Sequence, residues 1–217
     1  MNAEEVANYL HDHPEFFNAY AEVLALMTLP DPHTGRAISI TEKQMLTMRD
    51  KVRGLESQLA DLMSFGREND AISAKVHALA VALITAPDEA TVVRVLYSHL
   101  GGAFAVPHIM ARLWTGVADA SSLFTPATDP VCAFAGSLQK PYCGPAEGQA
   151  SLAWFGDAAA QLRSMAQAPL RDASGACVGL LVMASEEAHR FYPELGTLYL
   201  ERIGDLASAA FHRVLNL

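Results

Sequence analysis

The chain is short of positive charge. Lys and Arg number 15 against 24 Asp and Glu, for a formal net charge of −9. No basic cluster offsets this, so the electrostatic footprint of a nucleic-acid binder is absent. Long hydrophobic runs are missing too, and the longest, near "CVGLLVMA", is far too short to cross a bilayer. The start, "MNAEEVANYL", is acidic where a signal peptide is basic. The expectation is a cytoplasmic protein with neither nucleic acid nor membrane as a partner. Cysteine is scarce: 3 residues, an odd number without metal-ligand spacing, which fits a reducing compartment better than a disulfide framework. No glycine-rich phosphate loop occurs. His11 and His13 do not share a helix face and have no companion ligands. No metal and no cofactor are therefore expected.

What is present is a core. Apolar residues make up 51% of 217 and charged residues 18%, the balance of a folded chain with a real core, as one large domain or one domain with extensions. Three segments emerge. Residues 1–38 form a helical segment, with apolar side chains at Val6, Tyr9 and Leu10 and then at Phe16, Phe17, Tyr20, Val23, Leu24 and Met27. Pro14 suits the first turn of the second helix, since its missing N–H is unneeded there. "LPDPHTG" ends the pattern, and His33 within it reads as a loop-stabilising residue.

Residues 39–85 form a long dimerisation helix. Ser39 and Glu42 make a capping box, and no proline follows until Pro87. Apolar residues recur in steps of three and four through Met45, Met48, Val52, Leu55, Leu59 and Leu62, with a three-residue step to Phe65. The stripe then continues through Asn69, Ile72, Val76, Leu79 and Leu83. Such a repeat is a coiled-coil seam, and a polar Asn within it fixes register. At 1.5 Å per residue the helix spans roughly 65 Å, more than a small domain covers, so a homodimer is expected. Parallel and antiparallel pairings both remain open at this point.

Residues 70–217 form the third segment, overlapping the helix. "DEATVVRVLYSHLGGAF" is a helix, "VPHIMARLW" a strand, and "DPVCAFAGSLQKPYCGPAEGQASLAWFGD" a mixture of short helix and turn. "RSMAQAPLR" and "ACVGLLVMAS" are strands joined by the hairpin signal "DASG", and the chain closes on an amphipathic helix. Helices flanking an antiparallel sheet make an α+β domain.

That order of elements resembles the GAF domain, a small-molecule-sensing fold with a central antiparallel sheet. The wording of the chain resembles, more closely, the bacterial family known as domain of unknown function 484, described as GAF-like. The residues that carry this are "VANYLHDHPEFF", the "LP.PH.G.AIS" pattern ending at Ser39, then "ARLW", "PYCGP", "GLLVMAS" and "RFYPELGT". The resemblance implies the fold and dimerisation and supplies no activity. It departs at Ala184 and Ser185, where a Gly-Ser pair is expected.

Candidate ligand-pocket residues are Trp114, Phe134, Tyr142, Cys143, Trp154, Ser185 and Arg190. Cys143 has turn residues on both sides (Pro141, Gly144, Pro145), with Lys140 the one nearby cation and no histidine within twenty residues. It reads as a semi-buried residue of a cavity-lining turn. Arg190 could hold an anion or pair with Glu186, Glu187 or Glu194. A competing reading comes from similarity of "DPVCAFAGSLQKPYCGPA" to the free methionine sulfoxide reductases, GAF-fold enzymes in which thiols reduce a small sulfoxide. Cys132 and Cys143 would be the working pair. Cys177 and the segment after "GLL" depart from that pattern. The preferred expectation is a non-enzymatic dimeric sensory module with an unknown protein partner, since no kinase, DNA-binding or cyclase pattern follows. Alternatives are the reductase and a structural adaptor with no ligand.

Overall fold

The computed structural model describes residues 2–30, 37–114, 123, 128–193 and 196–215. His33 and Glu194 lie outside them. The chain divides into two compact units, Met1–Arg67 and Glu68–Leu217.

In the first unit, α1 (Ala3–Asp12) starts on a capping box: Asn2 Oδ1 accepts the Glu5 amide at 2.8 Å, and the Glu5 carboxylate accepts the Asn2 amide at 2.9 Å. The sequence suggests a single second helix, but there are two, α2 (Phe16–Ala19) and α3 (Ala21–Leu26). Tyr20, at φ −124° and ψ 40°, breaks the helix between them. Phe16 stacks on Tyr20 at 4.8 Å and meets Phe17 edge-on at 5.5 Å. Strands β1 (Thr28–Pro30) and β2 (Ala37–Ser39) pair antiparallel. Helix α4 (Ile40–Thr85) begins one residue after Ser39, where the capping signal places it.

The apolar stripe of α4 has two fates. Met48, Val52, Leu55, Leu59, Leu62 and Phe65 are each between 51% and 66% exposed. Ile72, Val76, Leu79 and Leu83, by contrast, pack into the core of their own domain, with Leu79 fully buried. Asn69 is exposed, and its backbone carbonyl accepts the Tyr199 hydroxyl at 3.0 Å. Assigning Ile72 and Val76 to an intermolecular seam is therefore corrected. Two three-residue steps in succession, Leu59–Leu62 and Leu62–Phe65, break the alternation of three and four; Phe65 and Asn69 are still exposed, and packing into the intrachain core begins at Ile72.

The second unit is built on a four-stranded antiparallel sheet in the order β3-β6-β5-β4. Its strands are β3 (His108–Leu113), β4 (Tyr142–Pro145), β5 (Ser164–Arg171) and β6 (Cys177–Ser185). The β5–β6 hairpin closes as "DASG" predicts. The Asp172 carboxylate accepts the Ser174 amide at 2.8 Å and the Ala176 amide at 3.0 Å, and Gly175 takes φ 85°. Strand β6 is apolar nearly throughout because both of its faces are covered. Leu181 and Met183 face the cluster formed with α4, α5 (Glu89–Ser98) and α7 (Leu198–Leu215). Leu180, Val182 and Ala184 face a second cluster with Val131 and Ala135 of α6 (Asp129–Ser137). Burying each such leucine contributes roughly 2 kcal/mol. A Cβ on Gly179 of β6 would lie 2.4 Å from Leu113 Cδ2 and 2.6 Å from the Arg112 carbonyl oxygen, so the central strand admits no side chain there.

Helix α7 is tied to the end of α4 by Arg213, whose guanidinium donates to the carbonyls of Leu83 (3.0 Å) and Ala86. A cation thus satisfies carbonyls that the end of α4 leaves without helical partners.

Candidate functional site

"PYCGP" is not a turn. Tyr142–Pro145 is the edge strand β4, with Cys143 opposite Ala166 and Tyr142 opposite Gln167. An edge position tolerates Pro145, since a proline costs a ladder hydrogen bond only where a neighbour needs its N–H. Side chains alternate across the sheet. Cys143 therefore points into the cluster shared with α4, α5 and α7, and Tyr142 packs at the opposite cluster, under α6.

On the Tyr142 side lies a cavity of about 260 Å³. Its described walls are Pro130, Val131 and Phe134 of α6, Gly148 to Ser151 at the start of the 3-10 helix Ala150–Gln161, and Gln167 of β5. Phe134 meets Tyr142 edge-on at 5.9 Å. Gln167 is 1% exposed, and both ends of its amide are engaged. Its Nε2 donates to Gln149 Oε1 at 2.9 Å, and its Oε1 accepts the Ser151 hydroxyl at 2.8 Å. A buried amide is stable only when satisfied in this way, and the chain of bonds rigidifies the cavity floor. Burial holds the Tyr142 phenol above its ordinary value, against a hydrogen bond with Gln149 that lowers it. The Tyr142 hydroxyl donates to the Pro145 carbonyl at 3.0 Å.

Of the seven pocket candidates, Phe134 lines this cavity and Tyr142 packs against Phe134. The others go elsewhere. Trp114 donates its indole N–H to the Cys177 carbonyl at 3.0 Å, and Trp154 lies 4.7 Å beneath the Arg112 guanidinium. Ser185, 3% exposed, accepts the Glu187 amide at 3.1 Å. The Arg190 guanidinium donates to the Phe104 carbonyl, while Glu186 engages His108 at 2.7 Å and is held below the usual carboxylate range mainly by that bond.

Cys143 is corrected from a cavity-lining residue to a core residue. It is 8% exposed, and burial pushes its thiol up to about 11, with no opposing pull from the Lys140 cation. All three cysteines are free thiols. Cys132 sits on α6, whose Val131 and Ala135 pack in the cluster on the face of the sheet opposite the Cys143 side chain, and it acts electrostatically on Cys177. The Cys177 thiol is itself raised, first by burial, against a hydrogen bond to the Gly179 carbonyl at 3.3 Å. Neither of these two thiols is in a setting that favours the thiolate.

Sequence reasoning missed Gln149, Ser151 and Gln167. One signal was available: Gln167 is the lone amide within the apolar strand "SMAQAPL". A polar residue at a core position carries more information than another leucine.

Residues 1–214 match the family described as "Protein of unknown function, DUF484". The chain is 27% identical over 210 residues to "Uncharacterized protein YigA" of Salmonella typhimurium, a match that covers 94% of this chain and 88% of that one. Two of the similar solved structures show the range. One is a free methionine-R-sulfoxide reductase from Neisseria meningitidis in complex with its substrate, at 20% identity and TM-score 0.48, covering 65% of this chain and 88% of that chain. The other is the A. aeolicus nlh2 GAF domain in an inactive state, at 17% identity and TM-score 0.47, covering 67% of this chain and 98% of that one.

Proposed function

The chain belongs to the DUF484 family, and on that premise we propose that it is a non-enzymatic, dimeric, GAF-like module of the cytoplasm that binds a small molecule in the cavity beneath α6. The observation that carries this reading is the floor of that cavity, where Gln149, Gln167 and Ser151 form a hydrogen-bonded chain beside the Phe134 ring. Convergent polar groups in an otherwise apolar hollow are the usual form of a small-ligand site. At about 260 Å³ the hollow suits a ligand of small-metabolite size.

The route outward would run through β5. Gln167 faces the cavity, and its neighbour Ala168 faces α7, where a Cβ on Gly204 would lie only 3.3 Å from the Ala168 Cβ. Helix α7 in turn holds the end of α4 through Arg213. In this reading residues 1–38 form an N-terminal helical segment, 39–85 carry dimerisation and 70–217 the sensory domain. The output passes to a partner protein. The reductase alternative needs one thiolate to attack and a second thiol to resolve the product. The raised Cys143 thiol and its separation from Cys132 by the sheet weigh against it.

The test is release of small molecules from freshly purified protein by denaturation, with mass analysis, for wild type and Gln167→Leu. A species present in stoichiometric amount with wild type and lost with Gln167→Leu is expected. A folded wild-type protein that releases nothing, and whose melting temperature no metabolite pool raises, favours the structural adaptor.

A further inference from the structure

We infer that the molecule held beneath α6 is uncharged and carries a cis-amide edge, as in a lactam or a ureide, with its carbonyl oxygen on the Gln167 amide and its N–H on the Ser151 hydroxyl. This rests on the small-molecule reading of that cavity and adds the chemical class of the ligand.

The donors on the cavity floor all point one way. The Ser151 hydroxyl donates to Gln167 Oε1 at 2.8 Å, and Gln167 Nε2 donates to Gln149 Oε1 at 2.9 Å. A hydrogen bond with Gln149 lowers the Tyr142 phenol, and a bond with that effect is donated to the phenol oxygen. The Gln149 oxygen is already an acceptor, so its amide nitrogen is the donor. The Tyr142 hydroxyl donates onward to the Pro145 carbonyl at 3.0 Å. With each proton placed, the remaining capacity follows.

A primary amide has two N–H groups, and a hydroxyl has one proton and two lone pairs. Gln167 gives one N–H to Gln149. Among the described residues nothing accepts the other, although Gln167 is 1% exposed. Ser151, 2% exposed, turns its proton toward Gln167 and the Met165 sulfur, which leaves its oxygen an acceptor. Both residues line the cavity. A buried donor thus stands beside a buried acceptor, one hydrogen bond apart, and each is costly while unmet. A cis amide presents the complement, an acceptor beside a donor on a single edge.

The walls decide charge and shape. Pro130, Val131 and Phe134 form the apolar side, and every described wall residue is uncharged. A carboxylate or ammonium group would lose its water here without gaining an opposite charge from these walls, a cost that a neutral amide avoids. The Phe134 ring favours a flat body. At about 260 Å³ the space is smaller than drug-sized sites and suits a single ring.

The dialysed full chain, titrated with 2-pyridone, 1-methyl-2-pyridone and benzoate, tests this. The first has the edge, the second lacks its N–H, and the third is charged. Nuclear magnetic resonance reads binding at the Gln167 side-chain amide, assigned with Gln167→Leu. 2-Pyridone is expected to bind with a Kd of about 1 mM, ordinary for so small a molecule, and to shift that resonance. The methyl derivative should bind about tenfold more weakly. Ser151→Ala should bring 2-pyridone down to the level of the methyl derivative and leave the derivative unchanged. Benzoate that binds there more tightly than 2-pyridone, or a methyl derivative that binds equally well, overturns the ligand class and leaves the cavity reading standing. A Gln167 resonance that no probe moves at about 10 mM, ten times the expected Kd, overturns both.

Discussion

A Cβ added to Gly144 would sit 2.6 Å from the hydroxyl oxygen of Tyr142. The glycine in "PYCGP" thus lets the tyrosine ring fold along its own strand to reach the Pro145 carbonyl. The obstacle at Gly144 is the tip of a side chain, whereas at Gly179 it includes the backbone oxygen of Arg112. Gly144→Ala should displace the ring and cost about 1 kcal/mol, the worth of one hydrogen bond. Gly179→Ala should cost about 3 kcal/mol or more, because a central strand cannot move aside. Urea unfolding of both variants checks the order, and equal costs would contradict it.

Gln167→Leu removes an amide but leaves the Ser151 hydroxyl and the Gln149 carbonyl oxygen without it. The expected loss is about 2 kcal/mol. Ser151→Ala leaves one amide acceptor short and should cost about 1 kcal/mol. The double variant should lose less than the two costs combined, since the second substitution removes a group the first has orphaned. Thermal unfolding of the three variants measures this coupling.

Cys143 makes a prediction about pH. Its thiol is raised from 9.0 to about 11 in the folded protein. The folded state therefore keeps a proton that the unfolded state gives up between these values. Stability is fully present below pH 9 and declines as the pH rises from about 9 to about 11. Cys143→Ala should remove that part of the slope, seen as a shrinking difference from wild type across the range. At neutral pH, Cys143 should react with a thiol reagent only on unfolding, and peroxide should produce no Cys132–Cys143 disulfide. Rapid formation of that disulfide, with reduction of free methionine sulfoxide in the presence of a thiol donor, would restore the reductase reading.

Leu55→Asp combined with Leu62→Asp puts charge into the exposed stripe of α4, at positions that take no part in the intrachain core. The pair should dissociate the dimer at micromolar concentration, with the melting of the second unit little changed. Light scattering and near-ultraviolet circular dichroism read the two effects separately. A persisting dimer places the contact elsewhere.

The sheet was legible where burial leaves a simple pattern. "CVGLLVMAS" is covered on both faces, "SMAQAPLR" pairs beside it, and "DASG" closes them. Strand β4 was not legible. It has four residues, among them a glycine and a proline, and only its pairing with β5 makes it a strand. Nor could periodicity say what covers an apolar stripe. Leu62 and Leu79 continue one repeat, yet Leu62 is 66% exposed and Leu79 is fully buried. The cavity floor was hidden for a further reason: Gln149 and Ser151 lie 18 and 16 residues from Gln167, and nothing local links them.

Native mass spectrometry of freshly purified full chain tests the central claim most directly, since it reads assembly and occupancy together. The account predicts the mass of two chains with a small molecule retained, released on gentle activation before the chains separate. A single bare chain across the micromolar range would contradict it.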